Sequence, residues 1–229
     1  ARRELQALQD GGVDGVLIAN EFSLPYEKVV SPVTLASMAY IVGRLRTDLR
    51  IPFGVNVVQN PLVSIDFAAA VAADFVRGTY TGAYLSDAGI IDTDVAAAMR
   101  RRVALGAKSV KMFFKINPES DAYLTERPIE KITKSVLFHS FPDGLCVSGS
   151  SAGSETDSSL IARVKKAAGE TPVFANTGVT ADNLGEMLRE ADGAFVGTAF
   201  KTGGKFAGNA DLDRVRSFMD RVKAFRRTL

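Results

Sequence analysis

The chain has 229 residues, 46% of them apolar and 24% charged, with a formal net charge of +2 at pH 7; roughly 200–250 residues is a typical length for a one-domain α/β barrel. A balance so close to neutral argues against an electrostatic nucleic-acid binder, and no apolar run approaches the roughly 18 residues of a membrane span. With one cysteine, Cys146, and one histidine, His139, an intramolecular disulfide and a thiolate metal cluster are excluded, and histidine zinc sites or a Ser-His-Asp triad have little to draw on.

The opening ARRELQALQD is charged and helical in pattern rather than leader-like, and a cytoplasmic protein is expected. Strands are predicted at residues 15–20, 52–58, 74–77, 109–115, 144–148, 172–176 and 193–198. Helices are predicted at 33–46, 61–72, 94–105, 128–138, 158–168, 181–190 and 211–226, with Ser31 before Pro32 and Thr180 before Ala-Asp-Asn as N-caps. The apolar runs lack polar alternation, which marks parallel strands buried on both faces, and strand and helix alternate throughout. No low-complexity linker interrupts them, so residues 1–229 read as one domain. Seven strands fall one short of the usual closed barrel. An open sheet would need charged or proline-protected edges that the sequence does not offer. The expectation is therefore an α/β fold, a (β/α)8 TIM barrel whose first strand lies upstream of Ala1.

In such a barrel, polar residues at the C-terminal ends of the strands line the mouth that holds the site. Reading each strand to its end gives Asn20 and Glu21, Asn56 and Asn60, Arg77, Lys115, Ser148, Asn176 and Thr177, and Thr198. Asn56 stands in mid-run between Val55 and Val57, where a buried amide needs hydrogen-bond partners; it reads either as a ligand-binding group or as a bridge between strands. The last two strands end in NTGV (176–179) and VGT (196–198). Backbone amides of Gly178, Val179, Gly197 and Thr198 are the candidate phosphate site, with a helix N-terminus adding positive potential. The loop from Ser148 to Asp157 would cover them. The same glycines could equally serve only to permit tight turns.

Arg77 can hold a carboxylate or phosphate in bidentate fashion, and Lys115 is either a base or Schiff-base nucleophile or the partner of a loop carboxylate. Asp87, in TGAYLSDAG, is the leading acid/base candidate, with Glu21 the second. Two carboxylates at one mouth could also hold a divalent cation, although nothing in the sequence requires a cofactor. Asn20, Asn56, Ser148, Asn176 and Thr177 are the candidate substrate-binding side chains. Cys146, two residues before Ser148 on one strand, reads as a buried core residue, and His139 as a helix-end residue outside the barrel. Lys201 is either a clamp on the bound anion or a surface residue.

The blocks GGVDGVLIANEFSLPY, IPFGVNVVQNP, FVRGTYTGAYLSDAGIIDTD, DGLCVSGSSAGSETD, TPVFANTGVTADN and ADGAFVGTAFKTGGKF together resemble the BtpA family, most closely its SgcQ-like branch. The resemblance implies a TIM barrel of the ribulose-phosphate-binding type. It also implies about 30–40 further N-terminal residues, including a first strand, by comparison with the usual barrel length. The family name refers to a role in photosystem I biogenesis, while the SgcQ-like branch is associated with sugar-uptake operons. No reaction is carried over. The chain departs from that branch at Gly78, where an acidic residue is common. Two functions follow as expectations. One is an enzyme acting on a small phosphorylated metabolite, a sugar phosphate or a nucleotide-derived compound, through isomerase, lyase or hydrolase chemistry. The other is a non-catalytic assembly or stability factor that retains the metabolite site. A homo-oligomer is compatible with either.

Overall fold

The computed structural model describes residues 1–86, 89–149 and 154–229. The strands in chain order are β1 (Val16–Ala19), β2 (Phe53–Asn56), β3 (Phe75–Gly78), β4 (Ala83–Ser86), β5 (Gly89–Asp92), β6 (Lys111–Asn117), β7 (Ala122–Tyr123), β8 (Gly144–Ser148), β9 (Val173–Asn176) and β10 (Gly193–Phe195). Seven of them form a parallel curled sheet in the order β1-β2-β3-β6-β8-β9-β10. The helices are α1 (Arg2–Gly11), α2 (Pro32–Leu45), α3 (Pro61–Val71), α4 (Val95–Ala104), α5 (Ile129–Ser140), α6 (Ser158–Ala168), α7 (Leu184–Glu190) and α8 (Leu212–Arg226). They pack neighbour against neighbour around the sheet, and α1 meets α8 beside the two edge strands, β1 and β10.

Each predicted parallel strand is present, with ends shifted by up to three residues. Three further strands were not foreseen: β4, β5 and β7 make an antiparallel sheet in the order β5-β4-β7 at the strand ends. They are short, and glycines interrupt their apolar residues, so they give no separate run to read. The Tyr84 and Tyr123 rings, 4.4 Å apart, hold β4 to β7. The expected cap at Ser31 precedes α2, but its hydroxyl meets Thr34 Oγ1 at 2.9 Å rather than a helix amide. The expected helix at 181–190 begins later, at Leu184. Thr180 and Asn183 bond each other reciprocally (2.7 and 3.3 Å) and hold 181–183 as a turn.

Side chains alternate across the sheet. Val55, Val76, Met112, Phe114, Leu145, Val147, Val173 and Ala175 are at most 0% exposed and face the helices, which accounts for the strands' unbroken apolar character. The other face carries an aromatic plug of Phe75, Phe113, Phe174 and Phe195, with ring centroids 5.0–6.3 Å apart. Glycines make room for it in register: Gly54 beside Phe75, Gly144 beside Phe113 and Gly193 beside Phe174. A Cβ on Gly144 or Gly193 would lie 2.7 Å from its facing ring, and one on Gly54 would collide with Phe75 outright.

At the opposite end of the strands from the minor sheet, aspartates tie β3, β8 and β10 to their sheet neighbours β2, β6 and β9. Asp74 accepts from Phe53 N (2.9 Å), Asp143 from Met112 N (2.9 Å) and Asp192 from Val173 N (2.8 Å). Asp14, placed likewise before β1, pairs with Arg226 of α8 at 2.6 Å. Gly54→Ala should overpack the plug and cost about 1–3 kcal/mol, a drop in Tm of several degrees. Phe75→Leu in the same chain should recover part of that loss by calorimetry; an unchanged melting curve for Gly54→Ala would contradict the tight plug.

Candidate functional site

Above the plug the inward positions turn polar within one step along each strand. Phe75 is followed two residues later by Arg77, Phe113 by Lys115, Gly144 by Cys146 and then Ser148, and Phe174 by Asn176. The period-2 alternation thus places Arg77, Lys115, Cys146, Ser148 and Asn176 on one lumen face. Asn176, fully buried, is their hub. Its Oδ1 accepts from Arg77 Nη1 at 2.8 Å, and its Nδ2 donates to Glu119 Oε1 at 2.7 Å and Ser148 Oγ at 2.8 Å. The other oxygen of Glu119 accepts from Lys115 Nζ at 3.0 Å. Arg77 also lies over the Phe195 ring at 5.2 Å, a favourable cation–π placement.

Glu119 was not singled out in the sequence. It follows Lys115 by four residues, in the loop between β7 and a β6 that runs two residues past its predicted end, and its bonds to Lys115 and Asn176 hold it over the lumen. Burial pushes its carboxyl up, but the Lys115 and Arg77 charges outweigh this and hold it below the usual carboxylate range. Of the two readings of Lys115, the loop-carboxylate partnership is the one in place. Asn117 clamps the backbone of Ser148 in both directions, at 2.8 and 2.9 Å, across an irregularity in the β6–β8 register.

Glu21, half-exposed in the loop after β1, stands 3.7 Å from Arg77 Nη2 and accepts from the Tyr26 hydroxyl at 3.2 Å. Burial, then the Glu21 carboxylate, pushes Tyr26 up to about 12. Asn20 accepts from Val58 N (2.8 Å), and so ties the β1 and β2 loops together rather than presenting its oxygen to the lumen. Asn60 does similar work on Val30 N. Asn56 is 5% exposed and has no side-chain hydrogen bond among the described residues. Asp87 lies outside the described residues. Asp121, also missed in the sequence, lines an open groove of about 870 Å³ with Asn117, Ser148 and Glu155. Its carboxyl is raised, mainly by burial, against the pull of Lys115.

Thr177 and Gly178 both have positive φ, 75° and 72°. That conformation is strained for a β-branched residue, and Thr177 Oγ1 is buried without a partner. Gly178 is required, because a Cβ there would run into the backbone at Ser154 and Glu155. The described end of the 148–157 loop thus lies directly on it. The N–H groups of Gly178, Val179, Gly197 and Thr198 donate to no acceptor among the described residues. Thr198 opens a 3-10 turn (Thr198–Phe200) instead of ending a strand, and α7 starts six residues beyond Gly178, so its N-terminus is not at these amides. Lys201 lies 5.0 Å from the Phe22 ring centroid and 4.9 Å from that of Phe206, and bonds Phe206 O at 2.5 Å, which occupies it at the rim.

Gly78 falls on the helix-facing side. A Cβ there would meet the Tyr80 ring at 3.2 Å, so a side chain at this position would turn away from the lumen. Cys146 is fully buried, and burial pushes its thiol up to about 12. Among the described residues no group of three His, Cys, Asp or Glu side chains is placed to hold a metal ion, and no helix is long and apolar enough to cross a membrane.

A parallel curled sheet wrapped by helices, with a polar lumen at the strand ends, defines a TIM-barrel protein. The same architecture recurs in thiamine phosphate pyrophosphorylase from Pyrococcus furiosus (TM-score 0.62, 14% identity, 97% of this chain and 89% of that one). It recurs in KGPDC from Streptococcus mutans (TM-score 0.62, 12% identity, 98% and 91%). The chain belongs to the BtpA family, whose model matches residues 1–224. It is 50% identical to the putative sgc region protein SgcQ of Escherichia coli, over 98% of this chain and 84% of that protein. It is 30% identical to the photosystem I biogenesis protein BtpA of Synechocystis, over 96% and 77%.

Two outcomes follow from the hub. Glu119 has a folded-state pKa below the ordinary 4.5, so its ionisation stabilises the fold above that pH, and the contribution fades as pH falls through the folded value. Glu119→Gln should therefore flatten the acid limb of a stability-versus-pH curve relative to wild type; an unchanged limb would rule out the pairing. Cys146 should resist alkylation at neutral pH in the folded protein and react only on denaturation, as mass spectrometry after brief iodoacetamide treatment would register.

Proposed function

We propose that this chain is an enzyme acting on a small phosphorylated metabolite, of the sugar-phosphate or nucleotide-derived kind. Its phosphate would be held by the backbone amides of Gly178, Val179, Gly197 and Thr198. The observation that carries this reading is the set of four unused N–H donors in the two loops after β9 and β10, beside a lumen whose charged side chains are already ordered. Unpaired amides at loop ends offer an anion ready-made donors without a competing side chain.

The reacting end of the ligand would lie over Arg77, Lys115 and Asn176. Lys115, paired with Glu119, acts in this reading as a fixed cation rather than as a neutral amine nucleophile. Glu21 is the carboxylate with room to exchange a proton with a ligand, since it is half-exposed and only loosely held. Asp87 keeps its sequence-based assignment as a second acid/base group, and Ser148, Asn56 and Thr177 are the neutral groups that would orient the ligand. The fold is compatible with isomerase, lyase and hydrolase chemistry alike. The similarity to a photosystem I biogenesis protein supports a second reading, an assembly factor that keeps the ligand site without turnover.

Inorganic phosphate in excess over its Kd should raise the melting temperature by several degrees, through preferential binding to the folded state. Gly178→Ala, which adds strain of about 1–3 kcal/mol and displaces the 154–155 backbone, should abolish that shift. No phosphate-dependent shift in the wild type would sink the anion site. In a turnover screen of phosphorylated metabolites, Glu21→Gln and Lys115→Ala should each lower activity by about 100-fold or more. Ligand binding with no turnover across the screen would favour the assembly-factor reading.

A further inference from the structure

We propose that the ligand, at the end opposite its phosphate, carries two coplanar oxygens, as a carboxylate or as the enediolate of an α-hydroxy carbonyl, and that the Nε/Nη2 edge of Arg77 with Asn56 beside it clasps them. This deepens the phosphometabolite reading and rests on it.

A guanidinium presents Nε–H and Nη2–H side by side as a fork that matches two oxygens of one planar group. Arg77 is 7% exposed, and only its Nη1 is satisfied by a hydrogen bond, to Asn176. Among the described residues Nε has no partner, and Nη2 has only Glu21 Oε1 at 3.7 Å, beyond hydrogen-bond distance. The fork edge is therefore unfilled on a buried, permanently charged side chain, a state that costs free energy and that folding alone does not call for. The Phe195 ring and the Asn176 amide nevertheless fix the guanidinium in place.

Asn56 supplies the second, independent observation. Gly54 pairs with Phe75 and Val55 with Val76, so the next residue of β2 falls beside Arg77 on the lumen face. Its side chain is more than nine-tenths buried and its amide is unpartnered among the described residues. By contrast Lys115, Glu119 and Asn176 are joined by hydrogen bonds, and Ser148 Oγ accepts from Asn176. Arg77 and Asn56 thus bring unmet donors together on neighbouring strands, apart from the buried Thr177 hydroxyl just beyond β9. Donors in a row around one fixed cation select a pair of oxygens bearing negative charge, and the depth of Nε favours a flat group. Glu21 is tethered only through Tyr26 and is half-exposed, so it can withdraw from this edge when a ligand arrives.

Three probes separate the sources. Glycerol 3-phosphate carries the phosphate without the paired oxygens, 3-phosphoglycerate adds a carboxylate, and phosphoglycolohydroxamate mimics an enediolate. In calorimetric titrations of the intact protein, at least one of the latter two should bind about tenfold or more tighter than glycerol 3-phosphate, the worth of one charge-assisted hydrogen bond. A gain for 3-phosphoglycerate assigns a carboxylate, and a gain confined to the hydroxamate assigns an enediolate. Arg77→Lys keeps the charge but removes the fork, and should erase the gain, so that the affinities for 3-phosphoglycerate and the hydroxamate fall to that for glycerol 3-phosphate in the same variant. Asn56→Ser should reduce the gain, and carries the test if Arg77→Lys does not fold. Equal affinity for all three probes, or a gain that survives in the folded variants, overturns the inference. A gain over a glycerol 3-phosphate that itself fails to bind would keep the fork and discard the phosphate site.

Discussion

The lumen has to bury two cations, Arg77 and Lys115, directly above an aromatic plug, and the rest of the mouth is arranged around that demand. Unpaired, either charge would cost several kcal/mol. One neutral amide solves much of the problem, because Asn176 can accept from Arg77 and donate to Glu119 at once, while Glu119 closes the circuit to Lys115. An aspartate at the hub could accept but not donate, and a leucine could do neither. The chemistry of one side chain therefore sets where both charges sit and keeps the β6–β7 loop that carries Glu119 folded over the lumen.

The plug below is the complementary constraint. Four phenylalanines fill the lumen only because glycines stand opposite three of them, so volume is traded between neighbouring strands at fixed register. This seals the far end of the barrel. The aspartates at the sealed end set the register independently, each by accepting the first or second amide of the neighbouring strand. Position along the strand then decides function by parity: even steps from a plug residue reach Arg77, Lys115 and Asn176, and odd steps reach the helix-packed residues Val76, Phe114 and Ala175.

That parity is why so much was legible in the sequence. Buried parallel strands announce themselves as apolar runs, and a cation or amide at the end of such a run has few places to go other than the mouth. Arg77, Lys115, Ser148 and Asn176 could be found in this way. Glu119 and Asp121 could not, because they lie in the loop between β6 and the two-residue β7, and the placement of that loop over the lumen comes from tertiary contacts such as the Tyr84–Tyr123 pair. Asn20 stands at a strand end, but the sequence does not tell a ligand-facing amide from one that staples two loops. The recurring aspartate before β1, β3, β8 and β10 was visible as a pattern, yet its meaning depends on knowing which strand lies alongside.

The two ends of the site differ in how they could meet an anion, and the difference follows from their construction. Around Gly178 and Gly197 the donors are backbone amides, which carry no formal charge and cannot titrate or swing away. Such a cradle suits a group that stays unchanged through a binding cycle. Over the plug the donors are charged side chains held by a network with one half-exposed member, Glu21, so charge there can be rearranged by moving a single carboxylate. Strain at Thr177, where a β-branched residue is held at φ 75° between Asn176 and Gly178, lies at the junction of the two. That residue covalently joins the hub to the loop amides proposed to hold the phosphate, so in that reading a ligand that settled into one end would bear directly on the geometry of the other.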